Sequence, residues 1–99
     1  MAHTRVTDAG LANFNGCNCV KWINLDFTLV TDAGLGNFKN CKNLIRLYLN
    51  VTAVTDTGLG IFADCKELVI LELRGTRASA QGVEQLRKRL PNCKIDYSR

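Results

Sequence analysis

Val-Thr-Asp-Ala-Gly-Leu begins at Val6 and again at Val30, Val-Thr-Asp-Thr-Gly-Leu begins at Val54, and a decayed copy, Ala-Ser-Ala-Gln-Gly-Val, begins at Ala78. The interval is 24 residues each time. A unit this short cannot bury its apolar face alone, so it must stack on copies of itself, and the expectation is a solenoid. The period constrains the fold far more than the task, because in such arrays function is written in the variable positions.

Each unit divides into two halves. The first reads Val20, Ile23, Leu25, Thr28, Val30, then Leu44, Leu47, Leu49, Thr52, Val54, then Leu68, Leu71, Leu73, Thr76, Ala78. Its central alternation has period two, which predicts a short strand, and strands stacked in one direction predict a parallel sheet. The last copy reads as Leu90, Cys93, Ile95, Ser98, two residues shorter than the others. The second half carries Leu11, Phe14, Cys17, then Leu35, Phe38, Cys41, then Leu59, Phe62, Cys65, one apolar face of a short helix.

Thr7, Thr31 and Thr55 stand where N-caps belong, and Asp8, Asp32 and Asp56 fall in the first helical turn, where negative charge suits the macrodipole. That reading explains the aspartate column better than calcium does. Gly10, Gly34, Gly58 and Gly82 weaken helix propensity, so their recurrence implies a close approach between neighbouring helices. The column Thr28, Thr52, Thr76, ending in Ser98, is expected to turn its hydroxyls onto nearby backbone.

Cys17, Cys41 and Cys65 share one position of the period, and Cys93 is read as a strand residue in place of Ile or Leu. Buried free thiols behave as small apolar groups, so these four are expected to be reduced core residues. That usage fits a reducing, cytoplasm-like compartment. Cys19 is off the period and is the thiol expected to be accessible. His3 is the sole histidine, so neither a zinc site with paired spacings nor a Cys-His or Ser-His-Asp arrangement can be assembled. No cofactor and no catalytic residue is expected.

The chain has 99 residues, enough for one domain over 1-99 and too few for separate catalytic and binding domains. No apolar run approaches the roughly 18 residues of a membrane span, and the first residues lack the apolar core of a signal peptide. A net charge of +4, partly from Arg87, Lys88 and Arg89, reads as a solvated helix face. Nucleic-acid binding through those residues and Lys94 is not favoured, because no aromatic face is interleaved with them.

The stretch Leu44 to Leu59, with Leu-x-x-Leu-x-Leu-x-x-Thr-x-Val-Thr-Asp-Thr-Gly-Leu, resembles the leucine-rich repeat, and more narrowly the 24-residue bacterial repeats of the planctomycete type. Leu90-Pro91-Asn92-Cys93-Lys94-Ile95 is similar to the strand that closes such arrays. The resemblance covers nearly the whole chain. It implies an α/β fold, a right-handed solenoid of about four units with a parallel sheet on the concave face and short helices on the convex face. For function it implies a protein-interaction scaffold.

The strand residues between the buried ones are the candidate binding surface. Aligned by unit they form the rows Trp22, Arg46, Ile70, Asn92; Asn24, Tyr48, Glu72, Lys94; Asp26, Asn50, Arg74, Asp96; and Phe27, Val51, Gly75, Tyr97. Trp22, Asp26, Arg46, Tyr48, Asn50, Ile70, Glu72 and Arg74 are the expected protein-binding residues, since aromatics and arginine dominate binding hot spots. Trp22 beside Arg46 permits a cation–π contact, and Arg74 beside Asp96 an ion pair. The expected function is a non-catalytic module that binds another protein, with neither nucleic acid nor membrane as partner. The alternative is a structural subunit that pairs with itself or another chain. Its open edge would be strand 20–27, because the sequence begins in the helical half of a unit, whereas the C-terminal end reads as a true terminus.

Overall fold

The computed structural model describes residues 21–39 and 41–97. Expectations resting on Val6, Thr7, Asp8, Gly10, Leu11, Phe14, Cys17, Cys19, Val20 and Ser98 lie outside the described residues. Elements follow in the order β1 (Trp22–Asn24), α1 (Asp32–Leu35) with a 3₁₀ turn (Gly36–Phe38), β2 (Arg46–Tyr48), α2 (Asp56–Ile61), β3 (Ile70–Glu72), α3 (Ala80–Arg89) and β4 (Lys94–Asp96). The strands form one parallel sheet in the order β1-β2-β3-β4, with a helix in each connection.

Register follows the sequence period. Trp22 pairs with Arg46, Arg46 with Ile70 and Ile70 with Lys94, so each partner lies one 24-residue step along the chain. The middle residue of every strand is buried, giving the column Ile23, Leu47, Leu71, Ile95. Leu35, Phe38, Leu59, Phe62, Val83 and Leu86 from the helical halves join the same core cluster. Leu35, Phe38 and Cys41 recur every third residue because the chain tightens from α into a 3₁₀ turn, which has three residues per turn.

The fourth unit corrects the sequence alignment. Ile95 pairs with Leu71, not beside Leu73, and Cys93 precedes β4 instead of occupying a buried strand position. The cause is helix length. α3 is a regular ten-residue helix whose apolar face runs Val83, Leu86 and on to buried Leu90. Three residues then suffice to reach β4, and the unit keeps its 24-residue step instead of losing two. Tyr97 thereby takes the place of Leu49 and Leu73, packing against the core while its hydroxyl donates to the Ala78 carbonyl at 2.8 Å.

Polar contacts tie one unit to the next. Thr31 and Thr55 cap α1 and α2 by accepting from the Ala33 and Thr57 N–H groups, and Ser79 caps α3 by accepting from Gly82. The Asp32 carboxylate reaches forward to accept from the backbone N–H of Thr55 at 2.8 Å and from its hydroxyl. Asp56 repeats this on Ser79, at 2.8 Å to the N–H and 2.6 Å to the hydroxyl. The aspartates thus hold the cap of the following helix as well as occupying a first turn.

This arrangement explains Gly58 and Gly82. A Cβ on Gly58 would lie 2.3 Å from Asp32 Oδ1, and one on Gly82 would lie 2.2 Å from Asp56 Oδ1. The close neighbour is a carboxylate from the preceding unit. Thr28, Thr52 and Thr76 are buried and donate to the Leu25, Leu49 and Leu73 carbonyls at 2.7, 2.8 and 3.1 Å.

Phe27, Val51 and Gly75 follow the strands at equivalent positions with φ of 59°, 56° and 68°. Glycine adopts this left-handed conformation freely, whereas a β-branched residue is strained there. Val51→Asn is expected to raise unfolding stability by about 1 kcal/mol, since asparagine tolerates the left-handed region. Chemical denaturation measures it. A loss of stability would mean that the Val51 side chain, 3.3 Å from where a Cβ on Gly75 would stand, holds the turn more than it strains it.

Candidate functional site

The outward strand positions form rows along the sheet, and the fourth strand is again displaced from the sequence alignment. The first row is Trp22, Arg46, Ile70, Lys94, and the second is Asn24, Tyr48, Glu72, Asp96. Lys94 therefore stands where Asn92 was expected, and Asp96 where Lys94 was expected. Alternation along each strand turns both rows away from the buried column.

The second row sets Glu72 directly opposite Asp96, an unfavourable placement of like charges. Two neighbours relieve it. Asn50 donates its side-chain N–H to Glu72 Oε1 at 2.9 Å, and Arg74 reaches diagonally to Asp96 with Nε at 3.1 Å and a terminal nitrogen at 2.9 Å. The hydrogen bond to Asp96 holds the Arg74 guanidinium above its ordinary pKa. The Arg74–Asp96 ion pair expected from sequence is thus present, but across a diagonal.

Asp26 and Asn50 belong to the same network. Asp26 Oδ1 accepts from the Asn50 backbone N–H, and Asn50 Oδ1 accepts from the Arg74 N–H, both at 2.8 Å. Each side chain closes the end of the neighbouring strand, so Asp26, Asn50, Glu72 and Arg74 spend much of their hydrogen-bonding capacity on the sheet itself.

The other four candidates make a different surface. Trp22 is 64% exposed and meets Tyr48 edge to face, with ring centroids 6.3 Å apart and planes at 67°. The register places Arg46 beside Trp22, while the ring contact runs diagonally to Tyr48. Arg46 and Lys94 are exposed and Ile70 is half-buried. Among the described residues, neither Arg46 nor Lys94 takes part in an ion pair. The sequence reading missed Lys94 as the end of this row, because only the length of α3 reveals its register.

The thiols are set apart from this face. Cys41 and Cys65 are free and buried, and Cys65 donates weakly to the Cys41 carbonyl at 3.6 Å. Burial raises the Cys65 pKa. Cys93 is free and half-buried, and burial lifts its pKa from 9.0 to about 11. At pH 8 its thiolate fraction is then about 100-fold below that of an ordinary thiol, partly offset by the greater nucleophilicity of a more basic thiolate. Alkylation of Cys93 at pH 8 is expected to run about tenfold slower than in the denatured chain, as followed by mass spectrometry. Equal rates would show that the thiol is open to water. Between pH 9 and 11 the unfolded chain loses this proton and the native chain keeps it, so the group lowers stability as pH rises through that window.

Among the described residues, no group of three or more His, Cys, Asp or Glu is placed to hold a metal ion, and no helix is long and apolar enough to cross a membrane. A cavity of about 220 Å³ lies between α2 and α3, lined by Asp56, Gly60, Gln81, Gly82, Gln85 and Arg89 among others. Its carboxylate is already committed to Ser79.

No family model matches the sequence, and no curated protein matches it. The structure is similar to a solved structure of Leiomodin-1 Actin-Binding Site 2 (ABS2), with a TM-score of 0.71 at 18% identity. The match covers 95% of this chain and 65% of that one, just under two thirds of its length. At that identity the likeness speaks for the fold.

Proposed function

We propose that the chain is a leucine-rich-repeat solenoid, right-handed and of about four units within one domain, and that it binds another protein through the outward face of its sheet without catalysing a reaction. The observation that carries this reading is the row Trp22, Arg46, Ile70, Lys94, where a 64% exposed tryptophan and two cations outside any ion pair among the described residues stand on a parallel sheet. Exposed tryptophan and arginine contribute strongly when a partner covers them. The structural neighbour is an actin-binding site, which accords with a frame of this kind presenting a protein-binding surface.

A photo-crosslinking residue placed at Asn24, an outward position of β1 next to the row, is expected to label one partner protein in cells, with labelling reduced at least tenfold by Trp22→Ala. The same residue at exposed Gln85 on α3 is the control. Labelling that is equal from both positions, or indifferent to Trp22, would sink the sheet-face reading.

Self-association is the second reading, favoured by the position of β1 at one edge of the sheet among the described residues, with Trp22 and Phe27 exposed beside it. Light scattering at micromolar concentration separates the two: a dimer abolished by Trp22→Lys supports assembly, and a monomer supports the binding module.

A further inference from the structure

Along the first row, side-chain character alternates: apolar Trp22, cationic Arg46, apolar Ile70, cationic Lys94. Neighbouring strands are about 4.8 Å apart, so the two cations stand roughly 10 Å from each other, with Ile70 between them. Neither is neutralised within the described chain. The acids of the adjoining row are spoken for, Glu72 by Asn50 and Asp96 by Arg74.

The geometry points to an acidic, apolar segment of a partner protein, lying in extended form across the strands, as the occupant of this row; this rests on the protein-binding reading above. A polyproline II segment advances about 3.1 Å per residue and returns to the same face every third residue, so acidic side chains three positions apart match Arg46 and Lys94. An apolar residue between them covers Ile70, and one before the first acid covers Trp22. The segment has the form apolar-x-acidic-apolar-apolar-acidic, with the second and third apolar positions sharing Ile70.

Charge pattern favours this occupant over a nucleic acid. A phosphodiester chain is charged at every residue, and here it would lay phosphates over Trp22 and Ile70 and alongside Glu72 and Asp96. A peptide confines its charge to the two places where a cation stands. Across the row, the alternation excludes a uniformly charged ligand as firmly as it excludes a wholly apolar one.

The test is selection of an unbiased displayed peptide library on the whole chain, with counter-selection against Trp22→Ala. Binding is then read from the fluorescence of Trp22, the chain's only tryptophan. Expected are peptides with paired acids three apart, whose affinity falls at least tenfold in the double variant Arg46→Gln, Lys94→Gln and equally when glutamine replaces the peptide's acids. Both replaced side chains are exposed, and unchanged circular dichroism confirms that the variant is folded. Trp22-dependent peptides without acidic bias would overturn this inference and leave the sheet-face reading standing. No Trp22-dependent peptide at all would overturn both. A twelve-nucleotide oligothymidine that displaces the selected peptide at equal concentration would assign the row to nucleic acid instead.

Discussion

Phe38→Ala lowers the unfolding free energy by about 3–5 kcal/mol, the range for truncating a phenylalanine in a core that cannot close around the void. Phe38 and Phe62 have no exposed surface, and both belong to the continuous cluster that spans sheet and helices. The 3₁₀ turn that carries Phe38 is three residues long, and Asn37 ties it to the Gly34 carbonyl at 3.0 Å. Removing the ring removes the buried apolar contact by which the turn joins the core. Against a total of about 5–15 kcal/mol for a domain of this kind, the loss is a large share of the stability. Urea denaturation gives the number. A loss under about 1 kcal/mol would show that the ring is not part of the packing that holds the units together.

Gly82→Ala is expected to cost about 2–3 kcal/mol, although alanine is the better helix former by about 1 kcal/mol. The new Cβ would stand 2.2 Å from Oδ1, 2.3 Å from Cγ and 2.7 Å from Oδ2 of Asp56, so the carboxylate has to leave. With it go the contacts to the Ser79 N–H and hydroxyl, and the cap of α3 loses its support. The decisive measurement is a double-mutant cycle with Asp56→Ala. Once the carboxylate is gone, Gly82→Ala becomes neutral or stabilising, because only the helix preference is left. Additive losses would mean that the glycine answers some other constraint.

These two positions mark how far the sequence could be read. The strands, the helix faces, the threonine caps and the buried columns follow from periods of two, three and 24 residues, which depend on residue type alone. The glycines were legible as points of close approach, but the approaching group was not, since identifying it requires knowing that Asp56 leans forward onto Ser79. The fourth strand was misaligned by two residues for a similar reason. Cys93 and Ile95 fit the alternation, but α3 runs on to Arg89 and fixes a register that pattern alone does not contain. The candidate face inherited that error in its last column. Division of its residues into a hydrogen-bonded network around Asn50 and a row ending at Lys94, whose cations make no ion pair among the described residues, emerged only with the correct register.

The forward-leaning aspartates give the polypeptide a direction. Asp32 supplies an acceptor to the unit after it and Asp56 does the same, while Asp26 and Asn50 close the following strand in the same sense. In these contacts dependence runs from earlier residues to later ones, while the Leu25, Phe27, Leu49, Val51 and Leu73 N–H groups depend on carbonyls of the next strand. During synthesis the starts of α2 and α3 emerge when the carboxylate that will secure each of them already exists.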